Sequence, residues 1–251
     1  MAQSSQAFPY STFVGGYVNG LGLSRTSNTV LSVAPGNILD STDTFQLTLG
    51  VAQAINSANT GLNGIDTGVF AASTVYAVYL VADPVTLMAT GAMISASLSA
   101  PVLPFGYSAF ALIGYAVTNA STQFLPGIWS AGDSARRTFM YDAAQATSVT
   151  AGAATSYTAI NIQTLVPLVN NTPVWISTVF TPGAASRTLS MRPSAGTGAA
   201  VTITGQVTAV PVTSQSYLFS STATTNQQIS YIVANSGDAV AINVAGFEFF
   251  I

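Results

Sequence analysis

Short runs of β-branched and aromatic residues recur along the chain, and residues typical of turns separate them. "DTFQLTLGV" at 43–51 and "PVWISTVFT" at 173–181 are two such runs. These residue types favour strands, and the apolar spacing of an amphipathic helix is nearly absent. We therefore predict an all-β fold of two antiparallel β-sandwich or jelly-roll-like domains, preceded by an extended N-terminal arm.

Composition shifts set the predicted domain bounds. Residues 1–20 form the arm, 21–145 the first β domain and 146–251 the second β-sandwich domain. The small, polar segment at 143–156 predicts a linker or a mobile first strand between the two domains. Residues 52–60 predict a short helical turn or a loop.

Two details of side-chain alternation give sharper predictions. Phe45, Leu47 and Leu49 alternate with polar residues, which places all three on the core face of one strand. In the C-terminal run the apolar phase slips at Ala245-Gly246, which predicts a β-bulge at the glycine.

The run at 73–82 is apolar on both faces, which is unusual for a soluble antiparallel strand. We expect a neighbouring subunit to cover its second face. The aromatic-rich arm is expected either to dock on a neighbouring subunit or to form the first strand of its own sheet. The predicted assembly residues are Phe8, Tyr10, Phe13, Tyr17, Tyr76, Tyr79 and Leu80.

Charge is scarce, with 5% charged residues, a net charge of −3 and no lysine. Such a chain has no basic stripe to neutralise phosphates, so we expect no nucleic-acid partner. Arg136-Arg137 is the one basic cluster, and one salt bridge plus one surface contact would explain it. A surface this poor in charge must rely on Ser, Thr, Asn and Gln, or be hidden in an assembly.

Residues that support common catalytic chemistry are missing from the sequence. Without His or Cys, nucleophilic catalysis by a Ser-His or Cys-His pair is excluded and a zinc site is disfavoured. Without Lys, Schiff-base chemistry and a P-loop are excluded. Paired carboxylates remain, with Asp40 and Asp43 closest in sequence. Turn capping by these acids is favoured over calcium binding or catalysis.

The remaining motifs favour structural roles. "NGIDTG" at 63–68 is typical of tight turns. Trp129 and Trp175 lie in strand-like runs, which favours core positions over ligand platforms. The sequence contains no run of 18 or more apolar residues, so it predicts no transmembrane helix and we expect no membrane partner. We predict no cofactor, no metal site and no enzymatic activity.

Several blocks, in order, resemble a family of tailed-phage virion proteins. They include "NGIDTGVFAASTVYAVYLVAD", then Leu103–Tyr107, Ile113–Thr118 and Phe124–Pro126, and later "YTAINIQTLVP", "LSMRPSAGTG" and "AINVAGFEF". The resemblance spans about residue 20 to the end. Two positions depart from the family pattern: Ala109–Leu112 stands where a basic pair is common, and Ile65 where Leu is common. The first departure replaces charge with apolar surface.

The resemblance implies a capsid decoration (cement) or head-fibre protein located in the virion. It implies a homo-oligomer, a trimer in our prediction, whose other partners are the major capsid protein or other virion proteins. The alternative is a tail fibre or receptor-binding protein that recognises host surface glycans. A third class, a glycan-cleaving depolymerase, would need two carboxylates about 5–9.5 Å apart in a cleft.

Overall fold

The computed structural model describes residues 18–83, 89–130, 135–169, 171–193, 200–223 and 226–251. These residues form nineteen strands and no helix, which confirms the all-β prediction. All pairings between these strands are antiparallel. None of the described residues forms a helix long and apolar enough to cross a bilayer.

Nine strands precede residue 120 and ten follow it. The first nine are β1 (Val18–Gly20), β2 (Leu23–Ser27), β3 (Val30–Val33), β4 (Gly36–Leu39), β5 (Gln46–Leu49), β6 (Gln53–Asn56), β7 (Val75–Ala82), β8 (Ala89–Ser95) and β9 (Ala109–Val117). The others are β10 (Gly127–Trp129), β11 (Arg136–Ala146), β12 (Thr158–Asn161), β13 (Pro173–Thr181), β14 (Arg187–Pro193), β15 (Val201–Gly205), β16 (Val212–Phe219), β17 (Ser221–Ala223), β18 (Asn226–Val233) and β19 (Ala239–Phe250).

The first nine strands form three small sheets, with strand orders β1-β4-β5, β2-β3-β6 and β8-β7-β9. Every residue of β7 is buried. Tyr76 packs against Phe70 with ring centroids 5.0 Å apart, and Tyr79 packs against Phe110 at 5.7 Å. Successive side chains of a strand point to opposite faces, so the chain itself covers both sides of β7. The expectation that a neighbouring subunit must cover this strand is therefore wrong.

The later strands form two larger sheets. One has the order β10-β11-β19-β13-β16, and the other has the order β12-β18-β14-β15, with β17 paired to β18. Strands β14 and β15 lie beside β16, and inward side chains of β13 and β14, such as Ile176 and Met191, belong to one apolar core. Alternating burial along β13 shows one face towards that core and one towards solvent.

Strand β11 extends further than the sequence predicts. It continues through Ala146 and pairs with β19 along its length, with an irregularity between Met140 and Gln145. Residues 143–146 are therefore strand and not linker. The sheet formed by the later strands begins before residue 145, and the division into two domains stays a prediction.

The predicted bulge in the C-terminal strand is confirmed. Trp175 pairs with Gly246 and Ile176 pairs with Val244, so Ala245 is the extra residue on β19. A Cβ atom at Gly246 would lie 2.4 Å from the carbonyl oxygen of Phe139. Only glycine lets β11 approach β19 this closely, because a methyl group there would overlap the neighbouring backbone.

Three local predictions are wrong or incomplete. Gln53–Asn56 form strand β6 and not a helical turn or loop. Leu47 and Leu49 are buried as predicted, but Phe45 precedes β5 and is exposed. Residues 18–20 of the predicted arm pair with β4 as an ordinary strand, and the rest of the arm lies outside the described residues.

Candidate functional site

Two aspartates hold loops inside the fold by accepting hydrogen bonds from the backbone. The Asp40 carboxylate accepts hydrogen bonds from the backbone N–H of Thr44 (2.8 Å) and of Phe45 (2.9 Å). Asp238 accepts from the backbone N–H of Gly183 at 2.7 Å and of Asn235 at 2.9 Å. The turn-capping prediction is thus confirmed for Asp40, because its oxygens hold the loop that leads into β5.

The environment of Asp40 shifts its acidity. Burial alone would raise the pKa of this carboxyl group, but hydrogen bonds from Phe45, Thr42 and Thr44 outweigh burial and lower the pKa below 3.8. Asp40 is therefore ionised at neutral pH and acts as a fixed acceptor. Within the described ranges, no three acidic side chains lie close enough together to hold a metal ion.

The two adjacent arginines have different roles. Arg136 is largely exposed and donates through Nε to Glu248 at 2.5 Å, which is the expected salt bridge. Arg137 is buried, so the predicted surface contact is wrong. Its guanidinium donates to the carbonyl oxygens of Gly20 (2.6 Å), Leu21 (2.8 Å) and Ile113 (3.2 Å). Because consecutive side chains of a strand point to opposite faces, the side chain of Arg136 faces solvent and that of Arg137 faces the core.

The predicted assembly residues divide into two groups. Tyr76, Tyr79 and Leu80 are buried within the chain, which removes the reason for placing them in a subunit contact. The Tyr76 hydroxyl accepts a hydrogen bond from the backbone N–H of Ala71 at 2.6 Å. Phe8, Tyr10, Phe13 and Tyr17 lie outside the described residues, and their assembly role stays a prediction.

A different apolar surface is exposed on the loop between β8 and β9. In this display loop, residues 96–108, Phe105 is fully exposed at 105% and Val102 is exposed at 57%. The backbone N–H of Tyr107 donates to the carbonyl oxygen of Pro104 at 3.1 Å, and Gly106 has φ +90°. These features describe a tight turn that needs glycine at its third position. The turn holds the phenyl ring of Phe105 out in solvent.

Hydrogen bonds fix the display loop to the sheet beneath it. The Asp66 carboxylate accepts from the hydroxyl of Ser95 at 2.7 Å and from the backbone N–H of Val102 at 2.8 Å. The Tyr79 hydroxyl donates to the carbonyl oxygen of Ser97 at 3.0 Å. Asp66 also accepts a hydrogen bond from the backbone N–H of Thr67 at 2.7 Å. The same acid therefore binds the display loop and its own segment, which continues to Val69, exposed at 84%.

A cleft of about 380 Å³ lies near the ends of β4, β9 and β19. Its lining includes Phe110 and Phe250, with Asp40 and Asp43 among its polar groups. Asp40 already accepts hydrogen bonds from its own loop, as described above. We therefore assign no chemistry to this cleft.

The two tryptophans occupy different environments. Trp129 is buried and donates through its indole N–H to the carbonyl oxygen of Tyr115 at 2.7 Å, which confirms the core prediction. Trp175 lies on the outer face of the five-stranded sheet and is partly exposed, so the core prediction is wrong there. Its ring contacts that of Tyr217, with centroids 5.1 Å apart.

Sequence reasoning missed the exposed residues Phe105 and Tyr217. The Pro-Phe-Gly order at 104–106 is a turn signal that could have predicted an exposed side chain at the tip. The position of Tyr217 depends on its register opposite Trp175, which becomes visible only when the strands are paired.

Comparisons with known proteins give little further information. No family model matches the chain, and no curated protein matches it. One similar solved structure is the carbohydrate-binding module CBM6cm-2 from Cellvibrio mixtus lichenase 5A in complex with cellotriose. It is 13% identical, with a TM-score of 0.23, over 47% of this chain and 86% of the module. Another is the infectious bursal disease virus Gx strain, 13% identical with a TM-score of 0.24, over 92% of this chain and 70% of the viral chain. TM-scores this low support no conclusion about fold or function.

Proposed function

We propose that this chain is a non-enzymatic structural component of a tailed-phage virion. In this role it is a capsid decoration or head-fibre protein that assembles as a homo-oligomer, a trimer, on the particle surface. The observation that carries the proposal is the fully exposed Phe105 at the tip of a hydrogen-bonded turn. The sequence blocks that resemble phage virion proteins support the choice of particle.

An exposed phenyl ring on a fixed loop favours association. Burying it against a neighbour removes apolar surface from water, which is worth about 1.5–3 kcal/mol per ring. Because hydrogen bonds already hold the display loop, little conformational entropy is lost when a partner binds. Val102 on the same loop is also exposed and adds apolar surface that a partner can bury.

The scarcity of charge supports the same role. Charged residues make up 5% of the chain, and Asp40, Asp66, Asp238 and Arg137 are used inside the fold. Surfaces with few ionic groups lose little hydration energy when they are buried. In this proposal the remaining partners are the major capsid protein or other virion proteins.

The test of assembly compares Phe105→Ser with Val207→Ser, a matched control on the exposed loop after β15. Size-exclusion chromatography with light scattering is expected to show an oligomer for the unaltered chain. Phe105→Ser should raise the dissociation constant about 10–100-fold, while Val207→Ser should leave it unchanged. A monomeric unaltered chain, or an oligomer insensitive to Phe105→Ser, would contradict the proposed assembly.

The virion location has a separate test. Mass spectrometry of density-purified particles from cells that produce the protein should find it in many copies per particle. Cryo-electron microscopy of the same particles should show its β-sheets on the outer shell. If the chain stays in the soluble fraction and the particles lack it, the proposed location is wrong.

A further inference from the structure

One stripe of side chains crosses the outer face of the five-stranded sheet. Ile128 pairs with Met140, Met140 with Gly246, Gly246 with Trp175, and Trp175 with Tyr217. Adjacent strands lie about 4.8 Å apart, so the two ends of this stripe are about 19 Å apart. Ile128 is 70% exposed and Tyr217 is 39% exposed, which shows that both ends face solvent.

The stripe has an aromatic end and a centre covered by the side chain of Met140. The rings of Trp175 and Tyr217 meet at 61°, so they form a corner and not a flat stack. Gly246, beside Trp175, has no side chain, and the close approach of β11 requires glycine there. The sulfur of Met140 and the backbone of β11 fill the space over Gly246, which is buried. A bound molecule would therefore lie over the Met140 side chain, with one end against the two rings.

Polar side chains run along one side of the stripe. Gln215 pairs with Ser177, and Ser177 pairs with Asn243. All three are exposed or partly exposed. Each side-chain amide offers both donors and an acceptor, and the serine hydroxyl offers one of each. This row can therefore exchange hydrogen bonds with hydroxyl groups, which also act as donors and acceptors.

An ion pair borders the other side of the stripe. Arg136 donates through Nε to Glu248 at 2.5 Å and through Nη2 to the Tyr217 hydroxyl at 3.2 Å. These contacts extend across the sheet from β11 to β16 and fix the tyrosine ring. Since the arginine and the glutamate neutralise each other, this border does not favour an anionic ligand over a neutral one.

We propose that this face, the Trp175–Tyr217 platform, binds a neutral glycan chain. The faces of aromatic rings are negative, and the C–H groups on one side of a pyranose are weakly positive, so the two attract when stacked. The side chains of Gln215, Ser177 and Asn243 would exchange hydrogen bonds with the hydroxyl groups of the sugar rings. The spacing between adjacent strands is close to the length of one sugar unit. The inference does not depend on the particle-surface role, because it uses residues far in sequence from the display loop.

The test is affinity electrophoresis of the intact chain in gels that contain one polysaccharide each. The neutral probes are mixed-linkage β-glucan, glycogen, dextran and yeast mannan, and polygalacturonate is the charged counterpart. At least one neutral polymer should retard the chain. Trp175→Ala should weaken that binding at least about tenfold, since it removes the stacking surface. Val179→Ala, on the same face of the same strand, should bind as the unaltered chain does.

Folding and self-association are checked on the same variants. Trp175→Ala and Val179→Ala should each unfold in a single cooperative urea transition, which shows that both variants are folded; Trp175→Ala is expected to have the lower midpoint, because it loses the contact with Tyr217. If Trp175→Ala does not fold, Gln215→Ala carries the test, because it removes only an exposed amide and should also weaken binding. Retardation by polygalacturonate alone, retardation by none of the polymers, or equal binding by both variants would overturn the inference. Loss of an oligomer in Trp175→Ala would overturn it too, because the face would then be a subunit contact.

Discussion

Replacing Arg137 by methionine tests how the fold is held together between its early and late strands. This buried guanidinium on β11 binds carbonyl oxygens of the β1–β2 turn and of β9. Arg137→Met keeps a long apolar stem of similar size but removes every donor. The three carbonyl groups of Gly20, Leu21 and Ile113 then lose these hydrogen bonds.

The expected cost follows from the number and kind of bonds lost. A hydrogen bond from a charged donor contributes about 1.5–3 kcal/mol to stability, and three are lost. Burying the charge of Arg137 itself costs several kcal/mol, and the methionine variant no longer carries that unfavourable term. We expect a net loss of about 3–5 kcal/mol in the free energy of unfolding. Small proteins are stable by about 5–15 kcal/mol, so this is a large fraction of the total.

The assay is equilibrium unfolding in urea, followed by tryptophan fluorescence. Arg25→Met is the matched control, because Arg25 is only partly buried and its side chain donates to the nearby Asn28. We expect that control to lose about 0.5–1.5 kcal/mol. Arg137→Lys should lie between the two, since one ammonium group cannot reproduce the planar fork. Equal midpoints for Arg137→Met and Arg25→Met would refute the role of Arg137.

Two further predictions concern loop capping and the bulge. Because the folded pKa of Asp40 lies below 3.8, its contribution to stability is present above that pH and is lost as the pH falls through the folded pKa. Asp40→Asn should therefore flatten the acid side of a plot of urea midpoint against pH, and an unchanged slope would contradict this. Gly246→Ala should destabilise the sheet by about 1–3 kcal/mol through overlap with the Phe139 carbonyl oxygen. Thermal unfolding measures this, with Ala241→Gly on the same strand as a comparison, and an unchanged melting temperature for Gly246→Ala would count against the overlap.

The positions of strands could be predicted from the sequence better than the residues that pack around each strand. Residue types and turn signals located β13 within its observed bounds and predicted the bulge before Gly246, because both depend on local alternation. The cover over β7 could not be predicted, since it depends on Phe70 and Phe110, which come from other segments of the chain. The alternation also placed Phe45 in the core, but Phe45 belongs to the loop held by Asp40, and β5 begins only at the next residue, Gln46.

The candidate surfaces were hardest to predict for the same reason. Tyr217 and Trp175 come from two strands, and their contact depends on register. Arg136 and Arg137 are adjacent, and the sequence does not say which of them points inward. Of these residues, Phe105 could have been predicted most easily, because the sequence Pro-Phe-Gly already indicates a turn.

The central position of β19 has a consequence for how the protein is made. Its partners β11 and β13 emerge from the ribosome long before it does, and the paired Arg136 and Glu248 lie 112 residues apart. Until residues 239–250 emerge, β11 and β13 each present an unpaired backbone edge that can bind another nascent chain. Such distant pairing slows folding and prolongs exposure to aggregation. We therefore expect yield during synthesis to depend on chaperones and on low growth temperature.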